Sequence, residues 1–441
     1  MKDFKVAILG CGTVGGGVAK ILTELNDELS HSSSHKIHLT KIVELNPKAA
    51  MDRFNLPASL FCGGGKNISK EEAGRYVREI LDSDDIHLIV ETIGGSNDFV
   101  ENLALDICRS KKHLVTANKA LLAERGASIY KAAGENSVTV GFEAAVCGAI
   151  PVIKTIKESF TGDIIESISG IMNGTSNYIL SMMQQEEMDF SDALKLAQEN
   201  GYAEADPTLD INGYDAGHKL AILIRLAFGV DIPMDELSIT GIENIRKEDI
   251  EFAREIDSTI KLICFAQKTD SKIYATVSPM VVKKSNFLSD VSGATNAIRF
   301  VNKYAGRQIL VGEGAGSSET ASSIVGDIVF AARYAEKIPV EEKDIRKNYT
   351  ITDAKHFEFP YIITFETVDI PGITGLTTTS IGKQKINIDT VSHNRHKTDR
   401  AIFSIATMPC TLKQIEDAVE EIKASNPDML LTEPKVMPIL Y

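Results

Sequence analysis

The chain has 441 residues, a formal net charge of −14 and six cysteines, at 11, 62, 108, 147, 264 and 410. That length predicts roughly two to four domains with ample core, and an acidic balance without a basic cluster argues against a nucleic-acid surface. Scattered cysteines without a CxxC pair, no signal peptide and no apolar run of about eighteen residues predict a cytoplasmic protein with reduced thiols, with no disulfide framework or membrane span.

Residues 4–9 (FKVAIL) read as a strand, followed by Gly10-Cys11-Gly12-Thr13-Val14-Gly15, a G-x-G-x-x-G, and then by helical spacing at Val14, Val18, Ile21, Leu22 and Leu25. One glycine makes the tight turn, one lets a pyrophosphate approach the backbone, and one permits close helix–strand packing. The N–H groups at the helix start can then bind phosphates. A strand before the motif and a helix after it make it a dinucleotide site. Further strands are expected at 37–45, after a polar loop at 31–35, and at 86–93, 114–116 and 137–144, with helices between most of them. The economical topology is a doubly wound parallel sheet. Thr92 and Lys119 fall at strand ends, where such sheets bind ligands. Lys119 reads either as a solvated lysine or as a group near the nicotinamide. Glu44 ends the second strand, where an acid holds ribose hydroxyls, yet Lys48 and Arg53 are near enough to meet a 2′-phosphate. The acid tips the reading toward NAD, with NADP the alternative.

From about 146 to 305 the pattern becomes α+β: a half-exposed strand at 164–169, a helix at 178–185, another capped by Ser191, a strand at 272–282 and a hairpin across 302–308. Within it, GYAEADPTLDINGYDAGHKLAIL (201–223) packs Glu204, Asp206, Asp210, Asp215 and Lys219 around Asn212-Gly213. Asp206-Pro207 and Asn212-Gly213 are turn dipeptides, so the acids before residue 213 are expected on a loop. Asp215 and Lys219, four apart, project from one face of the helix that follows. That helix is too apolar to be a solvated surface element. A lysine there can donate a proton, and the acids can hold a substrate ammonium; the alternative is a surface ion pair capping a helix. His218 reads as packing.

The glycine-rich segment GEGAGSSET (312–320) enters a helix and either folds back toward the nucleotide or makes a tight crossover. Polar residues 341–348 read as a linker. After them comes the order β-α-β-β-α-β: strands at 361–367, 387–394, 401–407 and 430–437, and helices after Asp369-Ile370-Pro371-Gly372 and over 411–422. This is the ferredoxin-like split pattern.

GCGTVG, VTANKALLA, FEAAVCGAIPVI, GIMNGTSNYIL, the 201–223 segment and GEGAGSSET occur in order over about residues 1–335, and in this the chain resembles homoserine dehydrogenase. The end of the chain resembles an ACT domain, whose helix begins at a D-x-P-G turn, and no aspartate-kinase region is present, as in the long monofunctional form. The resemblance implies an α/β fold with three parts. These are a Rossmann-type dinucleotide-binding domain (1–145), an α+β catalytic and dimerisation domain (146–340, with 310–340 returning to the nucleotide domain), and a ferredoxin-like ACT regulatory domain (355–441). It implies NAD(P)-dependent interconversion of L-homoserine and L-aspartate 4-semialdehyde in threonine, methionine and isoleucine biosynthesis. Lys219, Lys119 and Asp215 would be catalytic. Gly10, Gly12, Thr13, Val14, Gly15, Glu44, Thr92, Lys119 and Gly312 would hold the cofactor, and Glu204, Asp210, Asp215 and Thr175 the substrate. Glu143, Val146, Gly148 and Ile150 would bind a monovalent cation, sodium first, although Cys147 departs from the usual small residue there. It also implies an amino-acid effector, threonine, at the ACT domain, and a homo-oligomer, dimer or tetramer. Two rival functions are a dehydrogenase of another amino acid or semialdehyde and a non-catalytic NAD-sensing regulator. The first does not need the Glu204, Asp215 and Lys219 spacing, and the second could lose Lys219 and Lys119.

Overall fold

The computed structural model describes residues 1–269, 271–334, 349–394 and 400–441. They form two compact units. One comprises Met1–Ile165, His218–Met234 and Asn302–Lys347; the other comprises Glu166–Gly217, Asp235–Val301 and Asn348–Tyr441. The segment 341–348, expected as a linker, lies outside the described residues.

The first unit is built on a parallel sheet in the order His35–Val43, Lys2–Leu9, Leu88–Glu91, His113–Thr116, Val140–Gly141. The central strands are buried on both faces and read as continuous apolar runs, as a sheet covered on both sides requires. The register Leu9↔Glu91 places Gly10 and Thr92 side by side at the carboxyl ends of adjacent strands. The helix Ser317–Tyr334 also joins this core, where its Ala321, Ile324 and Ile328 pack with Phe4, Val6 and Val18.

The polar stretch expected as a loop at 31–35 is instead the end of a helix, Asn26–Ser33. Its composition hides it, but Asp27 and Glu28 in the first turn and His31 in the last complement the helix dipole. Ser33 is wholly buried, with its hydroxyl donating to the carbonyls of Ser30 and His35. The strand expected at 137–144 shrinks to Val140–Gly141, because the chain turns at Glu143–Ala145.

In the second unit a mixed sheet runs in the order Thr295–Asn302, Ile165–Ile171, Ser258–Lys268, Lys272–Lys283, Lys435–Leu440, Tyr361–Val368, Arg400–Thr407, Ile388–Asn394. The last four, with the helices Ile373–Lys383 and Leu412–Ser425, make the expected β-α-β-β-α-β arrangement. Its final strand lies at Lys435–Leu440 rather than at 430–437. The arrangement read from sequence as a separate segment shares a sheet with the middle of the chain, through Ile439↔Val281 and Leu440↔Val282. Lys272–Lys283 is buried along nearly its whole length and needs a hydrogen-bonding neighbour on each side. Tyr274 stacks on Phe357 at 3.9 Å and Phe265 meets Phe359 edge-on at 5.2 Å, so aromatic packing adds to the same junction.

The helix expected to begin at Tyr178 starts four residues earlier and spans Gly174–Gln185, and Asp189, not Ser191, stands at the N-terminal boundary of Phe190–Glu199, without a side-chain capping bond. No helix among the described residues is long and apolar enough to cross a membrane.

At the amino end of the parallel sheet His113 is buried, and its Nδ1 accepts from the Thr139 N–H at 3.0 Å. Burial pushes its pKa from 6.5 down to about 4, with nearby His87 a smaller cause. Between those values the unfolded chain binds a proton that the folded chain refuses, so stability should fall as pH drops through this window. The linkage is worth up to roughly 3 kcal/mol. Urea unfolding from pH 7 to pH 4 should show a shallower loss in His113→Asn, which keeps an acceptor but cannot charge; an unchanged slope would clear His113 of the effect.

Candidate functional site

The glycine-rich turn is built from close approaches that no side chain would survive. Gly10 has φ +89°, donates to the Val43 carbonyl at 2.9 Å, and its own carbonyl accepts from the Thr92 hydroxyl at 2.7 Å. A Cβ on Gly15 would lie 2.1 Å from the Gly10 carbonyl oxygen and 2.6 Å from Thr92 Oγ1. Gly12 precedes the helix Thr13–Glu24 with no side-chain cap, which leaves the amide-rich end, including Thr13 and Val14, open to an anion. Ser317 donates to the Thr13 carbonyl at 2.7 Å, so the helix after the second glycine-rich segment buttresses this turn. Gly312 sits on the strand Gly306–Glu313, where a Cβ would come within 3.1 Å of Ile150 Cγ1.

Glu44 follows the second strand, and its carboxylate accepts from the Cys11 N–H at 2.7 Å and the Asn46 N–H at 3.1 Å. The Arg53 guanidinium reaches the Thr13 hydroxyl at 3.3 Å. The acid suited to ribose hydroxyls and the cation suited to a 2′-phosphate thus both stand at the turn. Lys119 is the first residue of the helix Lys119–Glu135, half-buried, and Asn118 caps that helix by accepting from the Leu121 N–H. Sequence reading overlooked Glu91. It is wholly buried and accepts from Thr116 Oγ1 at 2.7 Å and from the N–H groups of Ile93 and Gly94, which ties the ends of the strands Leu88–Glu91 and His113–Thr116 together.

Residues Glu143 to Ile150 form a second loop in the same unit. Glu143 is buried, with its carboxylate accepting from the N–H groups of Ile153 (2.7 Å) and Lys154 (3.0 Å). Burial, and then the nearby Asp327 carboxylate, raise its pKa to about 7. Asp327, another residue missed from sequence, accepts from the Glu143 N–H and pairs with Lys154 at 2.9 Å. Cys147 and Gly148 both take positive φ, and a Cβ on Gly148 would meet the Gly314 carbonyl oxygen at 2.7 Å. Ser323 donates to the Gly148 carbonyl at 2.7 Å, and the Ile150 carbonyl accepts from Val152. Each of these two carbonyl oxygens has a second lone pair, the kind of donor a hard cation takes. Among the described residues no group of three or more His, Cys, Asp or Glu could hold a metal, which leaves transition metals without a donor set.

The acid and lysine segment folds differently from the loop that its turn dipeptides predict. Asp210 lies in a one-turn helix, Thr208–Ile211, which Asp206 stabilises by accepting from the Thr208 N–H, while Ile211 is buried beneath. Gly213, at φ +87°, then reverses the chain into the helix Tyr214–Phe228. Asp215 (7% exposed) and Lys219 (8%) sit on that helix, ahead of a stretch from Leu220 to Ile224 that is buried all round. Asp210 and Asp215 are brought together by a residue that sequence reading passed over. Asn173 Nδ2 donates to Asp210 Oδ1 at 2.7 Å and to Asp215 Oδ2 at 2.8 Å. Thr175, two residues on, donates to the Tyr202 carbonyl, and Glu204 is exposed two residues beyond Tyr202. His218, read from sequence as packing, is buried with its Nε2 3.4 Å from a Glu124 carboxylate oxygen.

A glycine-rich turn between the first strand of a parallel sheet and an uncapped helix defines a dinucleotide-binding α/β protein. The comparisons narrow that class. Residues 10–143 match the homoserine dehydrogenase NAD-binding domain, and residues 151–329 match the homoserine dehydrogenase family. The chain is 34% identical over 433 residues to a homoserine dehydrogenase of Neisseria gonorrhoeae, covering 96% of each chain, and 38% identical over 331 residues to that of Bacillus subtilis, covering 75% of this chain and 73% of the relative. A crystal structure of a homoserine dehydrogenase from Thiobacillus denitrificans superposes with a TM-score of 0.89 at 31% identity, over 100% of this chain and 98% of that one. The chain belongs to the homoserine dehydrogenase family, and it is an NAD(P)-dependent oxidoreductase acting on a CH–OH group.

The steric demand at Gly15 is directly testable. Gly15→Ala should push the turn off Gly10 and Thr92 and abolish cofactor binding while the second unit keeps its fold. Cofactor titration with circular dichroism checks this; wild-type cofactor affinity would show that the close approach is not needed.

Proposed function

We propose that the chain interconverts L-homoserine and L-aspartate 4-semialdehyde, in the biosynthesis of threonine, methionine and isoleucine in the cytoplasm. The observation that carries this reading is the pair of carboxylates, Asp210 and Asp215, held by the one amide of Asn173, with Asp215 one turn before Lys219 on the helix Tyr214–Phe228. A substrate ammonium needs carboxylates, and a neutral hydroxyl needs a placed acid–base group. Glu204, Asp210 and Asp215 bind the ammonium, and Thr175 lines the same end of its helix. In the oxidative direction Lys219 accepts the hydroxyl proton as hydride leaves the hydroxyl-bearing carbon. In the reductive direction it returns that proton to the carbonyl oxygen. Lys119, at a strand end of the dinucleotide unit, assists where nicotinamide and substrate meet. NAD(P), when bound, takes up or supplies the hydride. Gly10, Gly12, Thr13, Val14 and Gly15 hold its pyrophosphate, Glu44 its ribose, and Thr92 and Gly312 flank it. A solved archaeal homoserine dehydrogenase in complex with NADPH, 25% identical with a TM-score of 0.61, supports a nicotinamide cofactor. Glu143 and the carbonyls of Val146, Gly148 and Ile150 would hold a sodium ion, whose charge would brace that loop.

The C-terminal β-α-β-β-α-β segment, 355–441, acts as an ACT regulatory domain in a homo-oligomer. Its Gly372, at φ +89°, opens the helix Ile373–Lys383 without a side-chain cap, and threonine is the first effector to test there. Because its last strand completes the sheet beside Lys272–Lys283, the titration belongs on the intact chain. Threonine should lower turnover in a saturable way; turnover unchanged by threonine and by related amino acids would remove the regulatory role.

Lys219→Ala should lower kcat by about 10²- to 10⁴-fold with cofactor binding intact. Glu204→Gln and Asp215→Asn should raise KM for homoserine far more than KM for NAD(P). Steady-state kinetics with a cofactor-binding control decides both; a folded Lys219→Ala with wild-type kcat would end the acid–base assignment.

A further inference from the structure

Asn173 is 4% exposed, and every polar atom of its side chain is engaged. Its Oδ1 accepts from the Ser176 N–H at 2.8 Å and so caps the helix Gly174–Gln185. Its Nδ2 spends its hydrogens on Asp210 Oδ1 and Asp215 Oδ2. The amide can stand only one way round: flipped, it would turn an oxygen toward two carboxylates and an NH₂ toward an N–H. Asp210 is fixed from behind as well, since Ser176 Oγ donates to its carbonyl at 2.8 Å. One cap residue therefore ties together the helix Gly174–Gln185, the turn Thr208–Ile211 and the helix Tyr214–Phe228.

Two carboxylate oxygens sharing one nitrogen repel each other, and repulsion of that kind favours protonating one of them. A lysine or arginine between them would remove the repulsion but would also cancel the negative charge that draws a substrate ammonium. A neutral amide lowers the repulsion and leaves both charges in place. We propose that Asn173 is the positioning residue that keeps Asp210 and Asp215 together and charged for the substrate ammonium, a role beyond its helix cap. This rests on the reading of those acids as the ammonium site.

Two variants separate the roles. Asn173→Ser keeps a good N-cap but cannot span both carboxylates, whereas Asn173→Ala loses cap and bridge together. With purified full-length protein, both should raise KM for homoserine by about 10- to 100-fold, the scale of lost charge-assisted hydrogen bonds. KM for NAD(P) should stay unchanged, and Asn173→Ser should keep the wild-type melting temperature. A wild-type KM in Asn173→Ser with a defect only in Asn173→Ala would reduce Asn173 to a cap and overturn the proposal, as would wild-type kinetics in both. No turnover of homoserine by the wild-type chain would remove the ammonium-site reading itself, and the proposal with it.

Discussion

Ionisable groups buried at the head of an apolar helix impose the constraint around which this protein is organised. Tyr214–Phe228 buries Leu220, Leu223 and Ile224 completely, yet it also buries Asp215, His218 and Lys219. Burying such groups costs several kcal/mol each unless hydrogen bonds and opposite charges compensate. Compensation comes from outside the helix. Asn173 reaches Asp215 from the helix Gly174–Gln185, and Glu124 meets His218. A polar cluster satisfied in this way is rigid, and a rigid set of carboxylates can recognise an ammonium without paying to assemble itself.

The same economy governs the dinucleotide turn. Gly10 lies against the Thr92 backbone, and Gly15 against the Gly10 carbonyl and the Thr92 hydroxyl, which leaves no room for a side chain at either glycine. Glu91 then anchors the neighbouring strand-end loops from within the core. At the loop from Glu143 to Ile150, Asp327 holds both the Glu143 N–H and Lys154, so the position of a backbone loop is again set by one buried carboxylate.

What the sequence made legible was local. The turn from Gly10 to Gly15 announces itself because its glycines stand within six residues of one another and between a strand and a helix. The Asp215 and Lys219 pair is legible because helical spacing alone aligns them. Asn173 was not, because its partners lie 37 and 42 residues away, and an asparagine before a helix reads as a cap and nothing more. The helix Asn26–Ser33 was hidden because its residues favour turns, and burial of Ser30 and Ser33 overrides that preference. The sharing of one sheet by the end and the middle of the chain depends on pairing Ile439 with Val281, a contact that no local pattern encodes.

The account's central claim is that the carboxylates select a substrate by its ammonium while Lys219, one turn after Asp215 on the same helix, moves the hydroxyl proton. The most direct measurement compares L-homoserine with N-acetyl-L-homoserine, following reduction of NAD(P)⁺ by the purified full-length protein. Homoserine should be oxidised, and the acetylated compound, which keeps the hydroxyl but lacks the charge, should lose nearly all of its kcat/KM. Comparable kcat/KM for the two would contradict the claim.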